Sequence, residues 1–352
     1  AMRINGKDRG SVIVEDVGSG EILALVSLPG YDNEAFSHGI KTEEFKKILD
    51  DPRHPLISRA ISGLYPSGSV IKPIYALAGL EEEVITKDTT VLSKGGLQVG
   101  KWFFPDWKAG GHGTVNVKDA IANSVNTFFY ILGGGYEDRQ GLGVDRLEKW
   151  LKLFGFGAKL GIDIPAEASG FIPTPKWKQE RKGEQWYIGD TYNLSIGQGD
   201  LLISPLQIVN AIASIANGGT RFVPHLLHAT KSSGDKDFMR GQGQIAGTLP
   251  ARDDYFKIIQ EGMRETVLAG GARSLQGISL NVAGKTGTAQ SVAGHDSHAW
   301  FTGFAPFEKP EIALVVLVDE GGEGSSVAVP VAKEIFDWWG KVGSSRFHSG
   351  KD

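Results

Sequence analysis

The chain has 352 residues, 41% of them hydrophobic and 22% charged, the balance of a globular protein with room for about two ordinary domains. A net charge of −4 gives no electrostatic reason to expect nucleic acid or an anionic membrane as a partner. With no cysteine, disulfides, thiolate metal sites and a cysteine nucleophile are all excluded.

Residues 11–15 and 21–27 are strand-like runs, and Asp16-Val17-Gly18-Ser19-Gly20 between them reads as a hairpin turn. A short helix is expected over 42–49 with Thr42 as its cap, before Asp51-Pro52-Arg53-His54-Pro55 breaks the chain. Leu64-Tyr65-Pro66-Ser67-Gly68-Ser69-Val70-Ile71-Lys72-Pro73 then turns into an apolar helix that starts at Ser69. Pro73 falls in the first turn, where a backbone N–H has no helical partner to lose. From Ser69 to about residue 217 the apolar spacing is mainly helical. One helix is expected over 144–154, and another over 206–216, opened by Pro205. Residues 173–186 mix Pro, Lys, Glu and Trp without a period and read as an exposed loop, and 231–243 read as a polar link. A long helix over 253–268 follows. Strands return at 282–290, 298–305 and 311–319, and a helix over 329–339 closes the chain before a polar, fraying tail at 343–352. The aliphatic run 312–318 is far too short to span a bilayer and reads as a buried strand. The sheet is therefore expected from the two ends of the chain, with the helical middle inserted between them.

Three short motifs carry chemistry. Ser69 and Lys72 lie one turn apart at a helix start, where the first N–H groups and the helix dipole favour negative charge. A lysine shielded among Val70, Ile71, Ile74 and Tyr75 loses preference for its charged form and can take the serine proton. A second Ser-x-x-Lys, Ser233-Gly234-Asp235-Lys236, sits in a stretch polar enough to be a solvated loop. Ser124-Val125-Asn126 precedes a Phe-rich helix, for which Asn126 or Thr127 could simply be a cap, and Ser279-Leu280-Asn281 has the same spacing. In Lys285-Thr286-Gly287-Thr288, strand alternation puts Thr286 and Thr288 on one face and Lys285 on the other. Small residues around them would let an extended peptide approach; alone, the motif would be a plain edge strand with a solvated lysine.

Ser-x-x-Lys, Ser-x-Asn and Lys-Thr-Gly, in that order and on helix, loop and strand, are the motif set of the penicillin-binding proteins and class A β-lactamases. The chain resembles the transpeptidase domain of class B penicillin-binding proteins over nearly its whole length, and most of all the elongation type, penicillin-binding protein 2. Asp106-Trp107-Lys108 with Gly111-His112-Gly113, Ser195-Ile196-Gly197-Gln198-Gly199, Ser204-Pro205-Leu206-Gln207 and Gly303-Phe304-Ala305-Pro306 carry the likeness further. The resemblance implies an α/β (α+β) penicillin-binding/β-lactamase-like fold, an antiparallel sheet flanked by helices with an inserted all-helical subdomain. The whole of 1–352 would be the transpeptidase domain, with sheet residues 1–60 plus 245–342, helical residues 61–244, and an N-terminal anchor and pedestal region that this chain lacks.

By the same resemblance Ser69 would be the acylated nucleophile and Lys72 its base. Ser124 would relay a proton to the leaving amine, Asn126 would hold the substrate peptide and Lys285 would add positive charge near Ser124. Thr286, Gly287 and Thr288 would bind the donor peptide, the two threonines taking its terminal carboxylate. The N–H groups of Ser69 and Thr288 would form the oxyanion hole, where losing one donor typically costs about 100- to 1,000-fold in rate. The implied activity is a serine-type D-Ala-D-Ala transpeptidase that cross-links peptidoglycan stem peptides, releases D-Ala and is a target of β-lactams. In the family it works with a membrane glycosyltransferase and elongation-complex proteins, on the outer side of the bacterial cell membrane. No cofactor is implied. Some relatives hold zinc nearby through aspartates, a histidine and a cysteine; here Asp106 and His112 match part of that set, but Val125 stands where the cysteine would be, so no metal is expected. His295 and His298, near the last strands, could line a cleft, but packing is the default expectation for them.

Two rivals remain open on sequence. A β-lactamase or DD-carboxypeptidase would pass the acyl group to water, but no Glu-x-x-x-Asn loop lies between Asn126 and Lys285. A β-lactam-binding sensor domain would stay acylated, and nothing in the sequence speaks for or against it. An α/β-hydrolase triad is unsupported, since no Gly-x-Ser-x-Gly elbow occurs.

Overall fold

A computed structural model describes residues 7–233, 239–241, 243–291 and 294–343. The chain opens with the hairpin β1 (Gly10–Asp16) and β2 (Ile22–Leu28), then two helices with no buried residue, α1 (Glu34–Ser37) and α2 (Thr42–Leu49). A 3-10 turn over Gly68–Ile71 runs into α3 (Lys72–Glu81). Four short strands follow: β3 (Val91–Ser93), β4 (Gly96–Val99), β5 (Trp102–Pro105) and β6 (Gly113–Val115). The middle continues with α4 (Val117–Ala122), α5 (Asn126–Gly134), α6 (Gly143–Leu153), α7 (Pro175–Lys182), α8 (Ile188–Ser195) and α9 (Pro205–Ala216). Small strands β7 (Thr220–Phe222), β8 (Ala229–Thr230), β9 (Met239–Arg240) and β10 (Ile245–Thr248) lead to α10 (Asp253–Leu268). The chain ends in β11 (Ala283–Ala289), β12 (His298–Ala305), β13 (Ile312–Val318) and α11 (Gly324–Trp338).

The main sheet has the order β11-β12-β13-β1-β2, antiparallel throughout, so both ends of the chain build it. β13 lies at its centre and is buried along its full length. The two-residue period sends Ala313, Val315 and Leu317 into the core shared with α3 and α9, and Leu314, Val316 and Val318 into a second core under α11. That is why the run is aliphatic without a polar break: both of its faces are covered.

The inserted middle is not purely helical. β3 pairs with β6, β4 with β5, and β7 with β10, because these stretches are too short and mixed in character to hold a helical stripe. The expected loop over 173–186 contains α7 instead. Its N-terminus is set by Thr174, whose Oγ1 accepts from the Trp177 N–H at 3.1 Å, with Pro175 in the first turn; Gly183 ends it at a φ of 69°. Lys178, buried on this helix, pairs with Asp190 at 2.7 Å. α11 starts at Gly324, ahead of the expected residue 329, and takes Pro330 into its interior at the cost of one backbone bond. Lys41, not Thr42, is the N-cap of α2. β9, inside the expected polar link, pairs with β8 just before it. Residues 234–238, which include most of the second Ser-x-x-Lys, lie outside the described residues, as does the tail from 344.

Candidate active site

Ser69 sits in the 3-10 turn and the backbone N–H of Lys72 donates to its carbonyl, so the two share the start of α3. The turn is held from three sides. Trp300 Nε1 donates to the Pro66 carbonyl at 3.1 Å, the Gly68 N–H donates to the Gly197 carbonyl at 2.9 Å, and Gly197 itself stands close enough that a Cβ there would meet the Gly68 oxygen at 2.2 Å. The Ser-Ile-Gly-Gln-Gly stretch is thus a wall behind the serine turn. The Ser204-Pro205-Leu206-Gln207 stretch is a capping box: Ser204 Oγ accepts from the Gln207 N–H and Gln207 Oε1 accepts from the Ser204 N–H.

β11 is the edge of the sheet that faces this turn. A Cβ on Gly287 would come within 2.9 Å of Val70 Cγ1, and one on Gly68 within 2.7 Å of the Thr288 carbonyl. Gly68 has a φ of 53°, a second reason for glycine. Lys285 is fully buried while Thr286 and Thr288 are partly exposed, as alternation requires. The Lys285 Nζ donates to the Thr286 carbonyl at 2.9 Å, and burial pulls its pKa down to about 7.

Lys72 is fully buried, and its Nζ reaches the Ser-x-Asn motif. It lies 2.9 Å from the Ser124 carbonyl, 3.2 Å from Ser124 Oγ and 2.6 Å from Asn126 Oδ1. Burial and then the nearby Lys285 push the Lys72 pKa well below that of a free lysine, while Asp106 pulls the other way. Ser124 has a φ of 56°, unusual for a residue with a side chain, and that turn presents both its carbonyl and its hydroxyl to the amine.

The neutral amine this environment favours can accept a proton, and the hydroxyl and amide around it can pass one on or hold a peptide. The plain capping role is not taken by Asn126 or Thr127. The α5 N-terminus is capped from a distance by Asp106, whose carboxylate accepts from the Asn126 N–H at 3.1 Å, the Thr127 N–H at 3.0 Å and Thr127 Oγ1 at 2.7 Å. Ser93 Oγ and the Trp107 N–H complete its shell. Burial works against this anion, but the Thr127 and Asn126 bonds together outweigh it and hold the carboxylate below its usual range.

The residues do not fit a zinc site. Val125 is buried and offers no donor, both Asp106 oxygens are already taken by hydrogen bonds, and Asp88 is exposed beside Lys87. Among the described residues no cluster of three or more His, Cys, Asp or Glu could hold a metal ion. His112 packs edge-on against the Trp107 ring, with centroids 5.1 Å apart, and lies 3.7 Å from Asp106. His298 is buried between the Tyr65 ring and Asp319 as expected of a packed residue, but His295 does not pack: it is exposed and pairs with Glu320. The second Ser-x-Asn, at Ser279, lies beside Gly340 near the end of α11, away from these groups.

Two partners of the site carry no motif. Ser93 Oγ links Asp106 to the His112 loop, and Glu323 accepts a hydrogen bond from Thr288. A polar residue at the end of a short strand, for Ser93, or just ahead of a helix, for Glu323, is the only signal either leaves in sequence.

Residues 10–337 match the penicillin binding protein transpeptidase domain. The chain is 37% identical to the peptidoglycan D,D-transpeptidase MrdA of Acinetobacter baumannii, over 94% of this chain and 50% of that protein. It is 36% identical to MrdA of Haemophilus influenzae, over 94% of this chain and 53% of that protein. The chain thus spans about half the length of these curated relatives. Its structure is similar to that of Pseudomonas aeruginosa PBP2 in complex with WCK 5153, with a TM-score of 0.84 and 35% identity over 96% of this chain and 75% of that one. It is also similar to PBP2 of Helicobacter pylori in complex with MreC, with a TM-score of 0.82 and 34% identity over 96% and 61%. A penicillin-binding fold with the three motifs gathered at one sheet edge, matched over nearly the full chain, leaves one assignment: the chain belongs to the penicillin-binding protein transpeptidase-domain family.

Proposed function

We propose that this chain is the catalytic part of a peptidoglycan D,D-transpeptidase of the elongation type. The observation that carries the reading is the fully buried Lys72 amine, held at Ser124 and Asn126 one turn from Ser69, in a chain of this family. Ser69 Oγ attacks the penultimate carbonyl of a stem peptide ending in D-Ala-D-Ala, and its proton passes to Lys72. The oxyanion rests on the N–H groups of Ser69 and Thr288. Ser124 delivers a proton to the leaving D-Ala amine, and Asn126 holds the peptide. An amine of a second stem peptide then attacks the ester, forms the cross-link and frees Ser69. Thr286, Gly287 and Thr288 on the open edge of β11 receive the donor as an added strand, with Thr286 and Thr288 at its carboxylate and Lys285 supplying charge. β-Lactams acylate the same serine.

The described residues of the sheet part, 1–60 with 245–342, and of the mainly helical part, 61–244, act as the two walls of this cleft. The likeness to the Helicobacter pylori PBP2–MreC complex supports an elongation-complex partner of that kind, with a membrane glycosyltransferase alongside, on the outer face of the cell membrane. No described helix is long and apolar enough to cross a membrane. The test is D-Ala release from a D-Ala-D-Ala peptide with an amine acceptor present. The proposal expects a cross-linked product that vanishes in Ser69→Ala. Release to water alone, insensitive to the acceptor, would make the protein a carboxypeptidase, and acylation without any release would make it a sensor.

A further inference from the structure

Thr288 is the residue that the proposed function places at the donor's terminal carboxylate, and a hydroxyl has one proton to give. In this structure that proton is engaged: Thr288 Oγ1 donates to Glu323 Oε2 at 2.9 Å, while the Gly324 N–H donates to Thr288 Oγ1 at 3.3 Å. Glu323 is held in this position by the backbone around it. It is the N-cap residue of α11, yet its side chain makes no cap bond to its own helix and reaches across to β11 instead. The next residue, Gly324, is pressed so closely onto the sheet that a Cβ there would meet the Gly287 carbonyl at 2.3 Å and the Trp300 carbonyl at 2.4 Å. The start of α11 therefore cannot drift from the Lys-Thr-Gly strand without breaking the packing under α11.

We infer that Glu323 is a specificity-determining residue, an anion built beside the donor-carboxylate position that competes with the donor for the Thr288 hydroxyl. The inference rests on the proposed role of Thr288. A donor or β-lactam carrying a free carboxylate must displace the Glu323 side chain before Thr288 can turn its proton to the ligand, and two carboxylates sharing one hydroxyl repel each other. Glu323 is exposed, so it can swing into water at modest cost, and the competition weakens binding without blocking it. It acts on binding, not on the bond-making step, because Glu323 touches neither Ser69 nor Lys72 by any hydrogen bond among the described residues. A neutral ligand meets no such competition.

The experiment follows acylation by benzylpenicillin and by its methyl ester, resolving the saturation constant from the limiting rate. It compares the wild type with Glu323→Ala and Glu323→Gln, each checked by thermal melting. The expected result for Glu323→Ala is a saturation constant for benzylpenicillin lower by about threefold to tenfold, with the limiting rate and both ester constants unchanged. Glu323→Gln, which keeps an acceptor for Thr288 and drops the charge, shows a smaller gain in the same direction. Equal changes for acid and ester, no change, or weaker binding of the acid in either folded variant overturns the inference. Wild type that is not acylated at Ser69 would instead overturn the reading of the site, and so the two failures are distinct.

Discussion

Burial takes Lys72 from a solvated cation to an amine that can accept a proton, and the neighbouring Lys285 reinforces the shift. The neutral base therefore accumulates well below the usual lysine value of 10.5, and the rising limb of a pH profile for penicillin acylation should lie below that value. Lys72→Arg keeps a cation but cannot give up its proton, so the acylation rate should fall by about 100- to 10,000-fold, measured by intact mass against time. A variant within threefold of wild type would show that Lys72 is not the base. Lys285 behaves differently. Its pKa is lowered to about 7, so it is charged below that pH and neutral above it. Binding of benzylpenicillin should accordingly weaken as pH rises through about 7, while binding of the methyl ester should not. Parallel profiles for acid and ester would show that the Lys285 charge is not felt at the ligand carboxylate.

At the scale of elements, the site depends on how closely β11 approaches the serine turn and on how the α5 N-terminus is fixed. Gly287→Ala would place a methyl group 2.9 Å from Val70 Cγ1 and 3.2 Å from the Val70 nitrogen, so strand and turn must part. The expected outcome is acylation lowered by at least about tenfold, because oxyanion donors act only when placed within a few tenths of an ångström. Asp106→Asn turns charge-assisted bonds to the Asn126 and Thr127 N–H groups into neutral or repulsive contacts. It should lower both the melting temperature and acylation, while the isolated loss of one donor in Thr127→Val should cost less. Equal stability of Asp106→Asn and wild type would contradict the capping role.

What could be read in advance follows from the same physics. The central strands and α9 were legible because period and turn chemistry agree locally; 298–305 and 253–268 are occupied as expected. The Ser69, Ser124 and Lys285 motifs were legible as types, and the fold brings Lys72, Ser124 and Asn126 into hydrogen-bond contact. α7 was not, because apart from Pro175 and Trp177 it is polar and so has no apolar period, and its existence rests on Thr174, Gly183 and a tertiary ion pair to Asp190. The cap of α5 was not either, since it comes from Asp106, twenty positions upstream. Glu323 was missed because its partner is 35 positions away in sequence.

At the scale of the molecule, the sheet made from both chain ends is sandwiched between two cores, and one buried polar pair crosses from it to the helical body. Glu15 on β1 accepts from Asn210 Nδ2 on α9 at 2.9 Å, with Glu15 Oε2 and Asn210 Oδ1 buried and otherwise unpartnered. Burial raises the Glu15 pKa well above 4.5, outweighing the Asn210 bond. The folded state therefore binds a proton that the unfolded state has released, and the stability this group contributes is full below about pH 4.5 and is lost as pH rises through the folded value. Glu15→Gln keeps the neutral form at every pH. Its melting temperature should exceed that of wild type by on the order of 2 °C at pH 8, with the gap closing near pH 4. A lower melting temperature at pH 8 would contradict the neutral pairing. Proteolytic mass spectrometry after benzylpenicillin treatment shows whether the whole arrangement serves one nucleophile. One added drug per chain is expected, on the peptide containing Ser69, and none in Ser69→Ala. A drug found on Ser233 or Ser279, or no adduct on the folded wild type, would contradict it.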